Sequence, residues 1–220
     1  MSIDALRTEI CRVGRSLFER GYVHASAGNI SVRLPEGSGF LITPTDACLG
    51  FLQPHALAHV NADGTQLSGE RASKTLAMHR SIYAAEPEAQ CVIHSHATQL
   101  VALTLAGVWA AADIVPPITP YYVMKVGHVP LIPYHRPGDP AAAEAVAVAI
   151  TAAHTRGAPI RAVMLDRLGP NVWHDSPASA MAVLEELEET ARLWLLTGRS
   201  AAPLTEAQID DLRRTFGARW

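Results

Sequence analysis

The sequence predicts a single α/β domain with a mainly antiparallel, partly mixed sheet. Short apolar runs rich in strand-forming residues sit beside turn signals, so strands cluster in hairpins. Stretches with apolar residues at helical spacing lie between those clusters. No internal repeat and no long linker divides residues 1–220, a length that suits one full hydrophobic core.

The elements follow in chain order. Between Asp4 and about Arg20, Leu6, Ile10, Val13, Leu17 and Phe18 recur at helical spacing. Asp4 suits the positive end of that helix, and Gly21 is placed to stop it. Ala25 to Arg33 runs from small residues into an alternating strand, and Gly39 to Ile42 is its hairpin partner. Asn61-Ala62-Asp63-Gly64 signals a further hairpin turn. Ser73 can cap a helix from Lys74 to about Ala84. The strand Cys91–Ile93 comes next, then a helix from about Thr98 to Leu105.

Pro116 to Tyr122 is proline-rich and predicts a surface crossing that presents Tyr121 and Tyr122. Val126–Ile132 predicts a strand, and Arg136-Pro137-Gly138-Asp139-Pro140 a turn that starts a helix over 141–153. Arg161–Leu165 predicts a buried strand, paired with Asn171-Val172-Trp173 after a Gly169-Pro170 turn. Ser176-Pro177 opens a helix ending near Gly198, with Glu185, Glu186, Glu188 and Glu189 expected on its solvated face. Thr205 and Gln208 form a capping box for a last helix.

Composition narrows the function classes. A net charge of -3 gives no basic footprint for nucleic acid and no polybasic membrane patch. No apolar run reaches the roughly 18 residues that span a bilayer. Met1-Ser2-Ile3-Asp4 lacks the features of a signal peptide, and Cys11, Cys48 and Cys91 predict buried free thiols in a reducing compartment. The expectation is a cytoplasmic protein that acts on a small molecule.

One stretch carries the chemistry. Cys91-Val92-Ile93-His94-Ser95-His96 ends an apolar strand in two histidines at i, i+2. In an extended segment those imidazoles point the same way, the usual start of a transition-metal site. Gly28-Asn29 offers backbone N–H groups and an amide in one turn, suited to an anion.

With Gly28-Asn29-Ile30-Ser31, Ile42-Thr43-Pro44-Thr45, Ser73-Lys74, Ile93-His94-Ser95-His96 and Leu168-Gly169-Pro170 on view, the chain resembles the class II aldolase/adducin family over roughly residues 5–215. Thr119-Pro120-Tyr121, Tyr134 to Asp139 and Leu184 to Ala191 resemble its 3-oxo-tetronate 4-phosphate decarboxylase branch. The resemblance implies a single three-layer domain, a mainly antiparallel sheet flanked by helices, and a homotetramer with sites between subunits. It implies a divalent metal, commonly zinc, on three histidines, two of them matching His94 and His96. The metal stabilises the enediolate left by carbon–carbon cleavage. Asn29, Thr43, Thr45, Ser73 and Lys74 match the substrate-phosphate grip, and Tyr121 a residue working in the neighbouring subunit.

Three positions depart from that pattern. Leu168 stands where the third histidine is expected. Thr75, nineteen residues before His94, stands at the place of the acid/base glutamate. Asp46 replaces a glycine of the phosphate turn and sets a carboxylate against a phosphate dianion. Asp166, two residues before Leu168, is a candidate replacement ligand, and His24 a second. Two histidines with one carboxylate also suit manganese or iron(II), and a metal-free site is the remaining alternative.

The expected function is a carbon–carbon lyase, decarboxylase or aldolase in type, on a small oxo-acid or sugar acid. Lys74, Thr75 and Tyr121 are its catalytic candidates, with Asp46 among the substrate-binding ones. The alternatives are metal-independent chemistry on an unphosphorylated substrate and a non-catalytic binding homologue.

Overall fold

The computed structural model describes residues 2–220. Eight strands form one sheet in the order β4-β3-β2-β1-β5-β8-β7-β6. They are β1 (Asn29–Arg33), β2 (Phe40–Ile42), β3 (Ala58–Val60), β4 (Gln66–Ser68), β5 (Cys91–His94), β6 (Leu131–Ile132), β7 (Ala162–Leu165) and β8 (Gly169–His174). Neighbours pair antiparallel except β6 and β7, which run parallel. The helices are α1 (Ile3–Glu19), α2 (Leu76–Ala85), α3 (Thr98–Ala106), α4 (Pro140–Thr155), α5 (Pro177–Leu196) and α6 (Glu206–Phe216).

Strand alternation sends side chains to two faces, and each face is covered. On one, Ile30, Ile93 and Val172 join a core with Ile10 of α1, Leu100 of α3 and Leu184 of α5. On the other, Val92, Val163 and Trp173 join Ile82 of α2 and Ile150 of α4. The layering is helices, sheet, helices. No helix among the described residues is long and apolar enough to cross a membrane.

Caps set the helix ends. Ser2 Oγ accepts from Ala5 N–H at α1, Asp139 from Ala141 at α4 and Ser176 from Ser179 at α5. The Thr205/Gln208 capping box closes α6 as expected.

The structure corrects five local expectations. The segment 116–122 is not wholly a surface crossing. Pro116 and Pro117 are buried and Tyr122 is fully buried against Trp220, their ring centroids 5.5 Å apart, so Tyr121 alone is presented. Residues 126–132 yield only the two-residue β6, because Tyr122–Val126 coil as a π-helix and Gly127 turns the chain at φ +81°. The β7–β8 turn falls at 166–168, and Gly169 and Pro170 already belong to β8, with Leu165 opposite Gly169. Glu188 is not solvated but 6% exposed, and its carboxylate accepts from the backbone N–H groups of Gln99 and Leu100 at 2.9 and 3.0 Å. All three cysteines are free, but only Cys91 is buried.

Candidate active site

The site is built around the end of β5. His94 lies opposite Asn29 of β1 and Asn171 of β8, so these three share one row and one face of the sheet. Gly28, at φ +81°, lets the turn before β1 press close, since a Cβ there would stand 2.9 Å from the His94 carbonyl oxygen. The Pro170 carbonyl accepts from Ser95 N–H at 3.2 Å and from His94 Nδ1 at 3.0 Å. A carbonyl only accepts, so Nδ1 carries the proton and Nε2 keeps the lone pair. Burial, with His96 next to it, pushes the His94 pKa down to about 4. His96 is lowered as well, by burial first and by His24 second. At neutral pH both imidazoles are uncharged bases. Their ring centroids are 5.0 Å apart, and His24 stands 6.2 Å from His96. Beyond His96, α3 has no cap of its own, and Glu188 supplies one from α5.

His94 and His96 line a cavity of about 550 Å³ between the sheet and the N-terminal ends of α2 and α4. Asn29, Thr45, Asp46, Ser73, Lys74, Thr75, Asp166 and Leu168 line it too, so most of the residues singled out in the sequence meet here. Thr43 does not line it. That residue is fully buried, its Oγ1 accepts from Ile30 N–H at 3.2 Å, and its carbonyl accepts from Ser73 N–H at 3.1 Å. Thr43 therefore ties the β1 turn to the Ser73 turn. Tyr121, 61% exposed, also lies outside this chain's cavity.

Local geometry explains the other wall residues. Asp46 holds φ +58°, the left-handed conformation glycine favours, and its carboxylate comes within 4.0 Å of Lys74 Nζ. Thr75 Oγ1 spends its hydrogen bond on Ser73 Oγ at 2.9 Å. Asp166 lies 3.9 Å from Arg167 Nε.

The histidine pair has the right chemistry for a metal, being neutral, with His94 fixed by a carbonyl behind it. Leu168 also lines the cavity, with a side chain that cannot ligate. Among the described residues no three His, Cys, Asp or Glu side chains converge closely enough to hold an ion. The donor set therefore does not fit the three-histidine centre that the resemblance implies.

Sequence reasoning did not single out Asn171. It is 1% exposed, lines the cavity, and neither Nδ2 nor Oδ1 has a hydrogen-bond partner among the described residues. Asn29 Oδ1 is likewise unpartnered. Leaving a buried polar group unpaired costs about 1–3 kcal/mol, so the row flanking His94 is held at a cost to stability. The only sequence signal is a polar residue before Val172-Trp173 in a buried strand, and its meaning depends on the β5–β8 register. Arg136 also lines the cavity, from the loop before α4.

Residues 8–195 match the family described as the Class II Aldolase and Adducin N-terminal domain. The chain belongs to the class II aldolase/adducin family. It is 55% identical to the 3-oxo-tetronate 4-phosphate decarboxylase of Cupriavidus necator, across 98% of this chain and 97% of that protein. Identity to the Escherichia coli K12 protein of the same name is 41%, across 96% of each. The crystal structure of YgbL from Escherichia coli superposes with a TM-score of 0.87 at 41% identity, covering 96% of this chain and 99% of that one. An L-fuculose 1-phosphate aldolase at 21% identity has a TM-score of 0.81, covers 97% of this chain and 96% of its own, and shares the fold.

Proposed function

We infer that this chain is a carbon–carbon lyase of the decarboxylase type, acting on a small 3-oxo sugar acid of the 3-oxo-tetronate class. The observation that carries the reading is one cavity lined both by an uncharged histidine pair and by groups that suit an anion. Thr45, Ser73, Lys74 and the N-terminal ends of α2 and α4 all favour negative charge there. Relatives at 55% and 41% identity that carry the decarboxylase name support it.

A 3-oxo acid loses carbon dioxide when the C1–C2 bond breaks and its electron pair moves toward the oxo oxygen, leaving an enediolate. C2 then takes a proton. In this reading Lys74 and the helix ends hold the anionic part of the acid. His94, fixed by Pro170, orients the hydroxyl and oxo end through Nε2. His96, half-buried, relays the proton between C2 and solvent. Thr75 orders the Ser73 turn and carries no proton near neutral pH. Tyr121 acts only across a subunit boundary, in a homotetramer.

Asp46 favours a second reading of the substrate, without a phosphate. Its carboxylate, 4.0 Å from Lys74 Nζ, already partners the cation that a phosphate would use. The test is carbon dioxide release from freshly generated 3-oxo-tetronate and its 4-phosphate, each against its spontaneous rate. Release above background from at least one acid, lost in His94→Ala/His96→Ala, is expected. A higher kcat/KM for the unphosphorylated acid, reversed by Asp46→Gly, would establish the second reading. No release from either acid would leave redirected chemistry or a binding role.

A further inference from the structure

We propose that the Asn171 side-chain amide is a substrate-contacting group of the cavity, the element that recognises adjacent hydroxyl and carbonyl oxygens of the acid. The substrate class is the one inferred above, and the proposal rests on that reading for it.

Asn171 sits on β8 directly across from His94 on β5. It is 1% exposed, lines the cavity, and leaves both polar atoms of its amide without a partner among the described residues. Its other cross-strand neighbour, on β7, is Val163, which offers no polar atom. His94 has already spent Nδ1 on the Pro170 carbonyl. Packing gives no reason for an amide here, since the residues on the same face of these strands, Val92, Val163 and Trp173, belong to an apolar core. A buried polar group kept without a protein partner and bordering a cavity calls for a ligand.

The amide also narrows that ligand. It is neutral at every working pH and presents one donating and one accepting edge side by side. An α-hydroxy ketone presents the complement: a carbonyl oxygen that accepts and, on the next carbon, a hydroxyl that donates. In a 3-oxo-tetronate those are the C3 oxygen and the C2 hydroxyl. Asn171 Nδ2 donates to the first, and Oδ1 accepts from the second. As the C1–C2 bond breaks and charge builds on the C3 oxygen, the donated bond strengthens, so the amide also favours cleavage. Asn29, on the other side of His94 with its Oδ1 unpartnered, faces the same cavity.

The experiment pairs stability with binding in Asn171→Leu, which keeps the branched heavy-atom shape and removes both polar atoms. D-Erythronate and D-erythronate 4-phosphate, which lack the oxo group and cannot lose carbon dioxide, are titrated calorimetrically. Side-chain amide resonances of 15N-labelled wild type are followed in parallel, with the Asn171 pair assigned by its loss in the variant or by triple-resonance spectra. A functional amide predicts that the variant melts higher, because unpaired buried polar atoms are gone. The variant should also bind the acid about ten-fold more weakly, the size of one good neutral hydrogen bond. The wild-type amide pair should shift on titration. Unchanged affinity, an amide pair that does not move, or a wild type that binds neither acid overturns the proposal. Should the variant fail to fold, the wild-type titration decides alone. Turnover separates the two readings. Oxo-acid cleavage with full affinity in Asn171→Leu sinks the proposal and spares the lyase. Erythronate binding lost in the variant, without cleavage by wild type, does the reverse.

Discussion

Two rows of side chains cross β1, β5 and β8 one residue apart. Ile30, Ile93 and Val172 form one; Asn29, His94 and Asn171 form the other. A shift of one residue along a strand reverses the face, so neighbours in sequence have opposite surroundings. The isoleucine row is fully buried among α1, α3 and α5, and it needs nothing further. The asparagine row is nearly as buried but leaves polar atoms unpaired beside a cavity. At this end of the three strands one face thus carries packed core and the other unspent hydrogen-bonding capacity, although farther along, Val92 and Trp173 of that second face are packed as well. The register that satisfies the first row fixes the second to within a side chain's reach.

Substitution at adjacent positions tests that division most severely. Ile93→Ala opens a hole in a fully buried row and is expected to cost about 2–5 kcal/mol in urea unfolding. His94→Leu, one residue on, should leave the unfolding free energy within about 1 kcal/mol of wild type while removing activity. An equal loss of stability in both would erase the distinction between the rows.

Next in size is the gap at Leu168. This side chain lines the same cavity as His94 and His96, so Leu168→His would complete a three-imidazole set. Structural zinc binding of about 10–16 kcal/mol spread over four ligands puts one ligand near 3 kcal/mol, roughly a hundred-fold. Zinc affinity measured by competition with a chelator should rise by about that factor. An unchanged affinity would mean that position 168 does not reach the ion.

Glu188 ties the isoleucine side to the segment that follows His96. It sits on α5, on the isoleucine side, and it caps the helix that begins just after His96. Glu188→Ala strips two acceptors and is expected to cost about 1–3 kcal/mol, with faster amide exchange at Gln99 and Leu100. Protection that stays at the wild-type level would show that the cap is not needed to hold α3.

Most of the fold was legible in the sequence because helix caps and strand alternation are local. Thr205 with Gln208, Ser176 with Pro177 and Asn61 to Gly64 each mark an end within four residues. The errors fell where distant chain decides. Tyr122 is buried because Trp220 comes back to cover it, and Glu188 because α3 brings two N–H groups to it. The cavity was legible as the meeting of Asn29, Ser73, Lys74, His94 and His96. Asn171 was not, because its place beside His94 is a fact of register across 76 positions of chain between His94 and Pro170, and no local pattern encodes it.

Acid should weaken the polar side through its buried histidines. His79 of α2 lies on that side, fully buried, with Nδ1 2.7 Å from Ser31 Oγ and Nε2 unpartnered. Burial, then the nearby His94, pushes its pKa down to about 3 from an ordinary 6.5. The sign follows from which state takes the proton. Above pH 6.5 neither the folded nor the unfolded chain protonates this ring, and its contribution is constant. Below that value the unfolded chain binds a proton that the folded chain refuses, so stability falls with pH until the folded pKa near 3 is reached. One such histidine gives a slope of about 1.4 kcal/mol per pH unit. His94, lowered to about 4, adds a slope of the same sign over a shorter range. Urea unfolding at several pH values between neutral and 5 should therefore be shallower in His79→Gln than in wild type, by about one proton's worth of slope. Parallel slopes would mean that His79 protonates freely in the folded chain, and that the polar face is wetter than its burial implies.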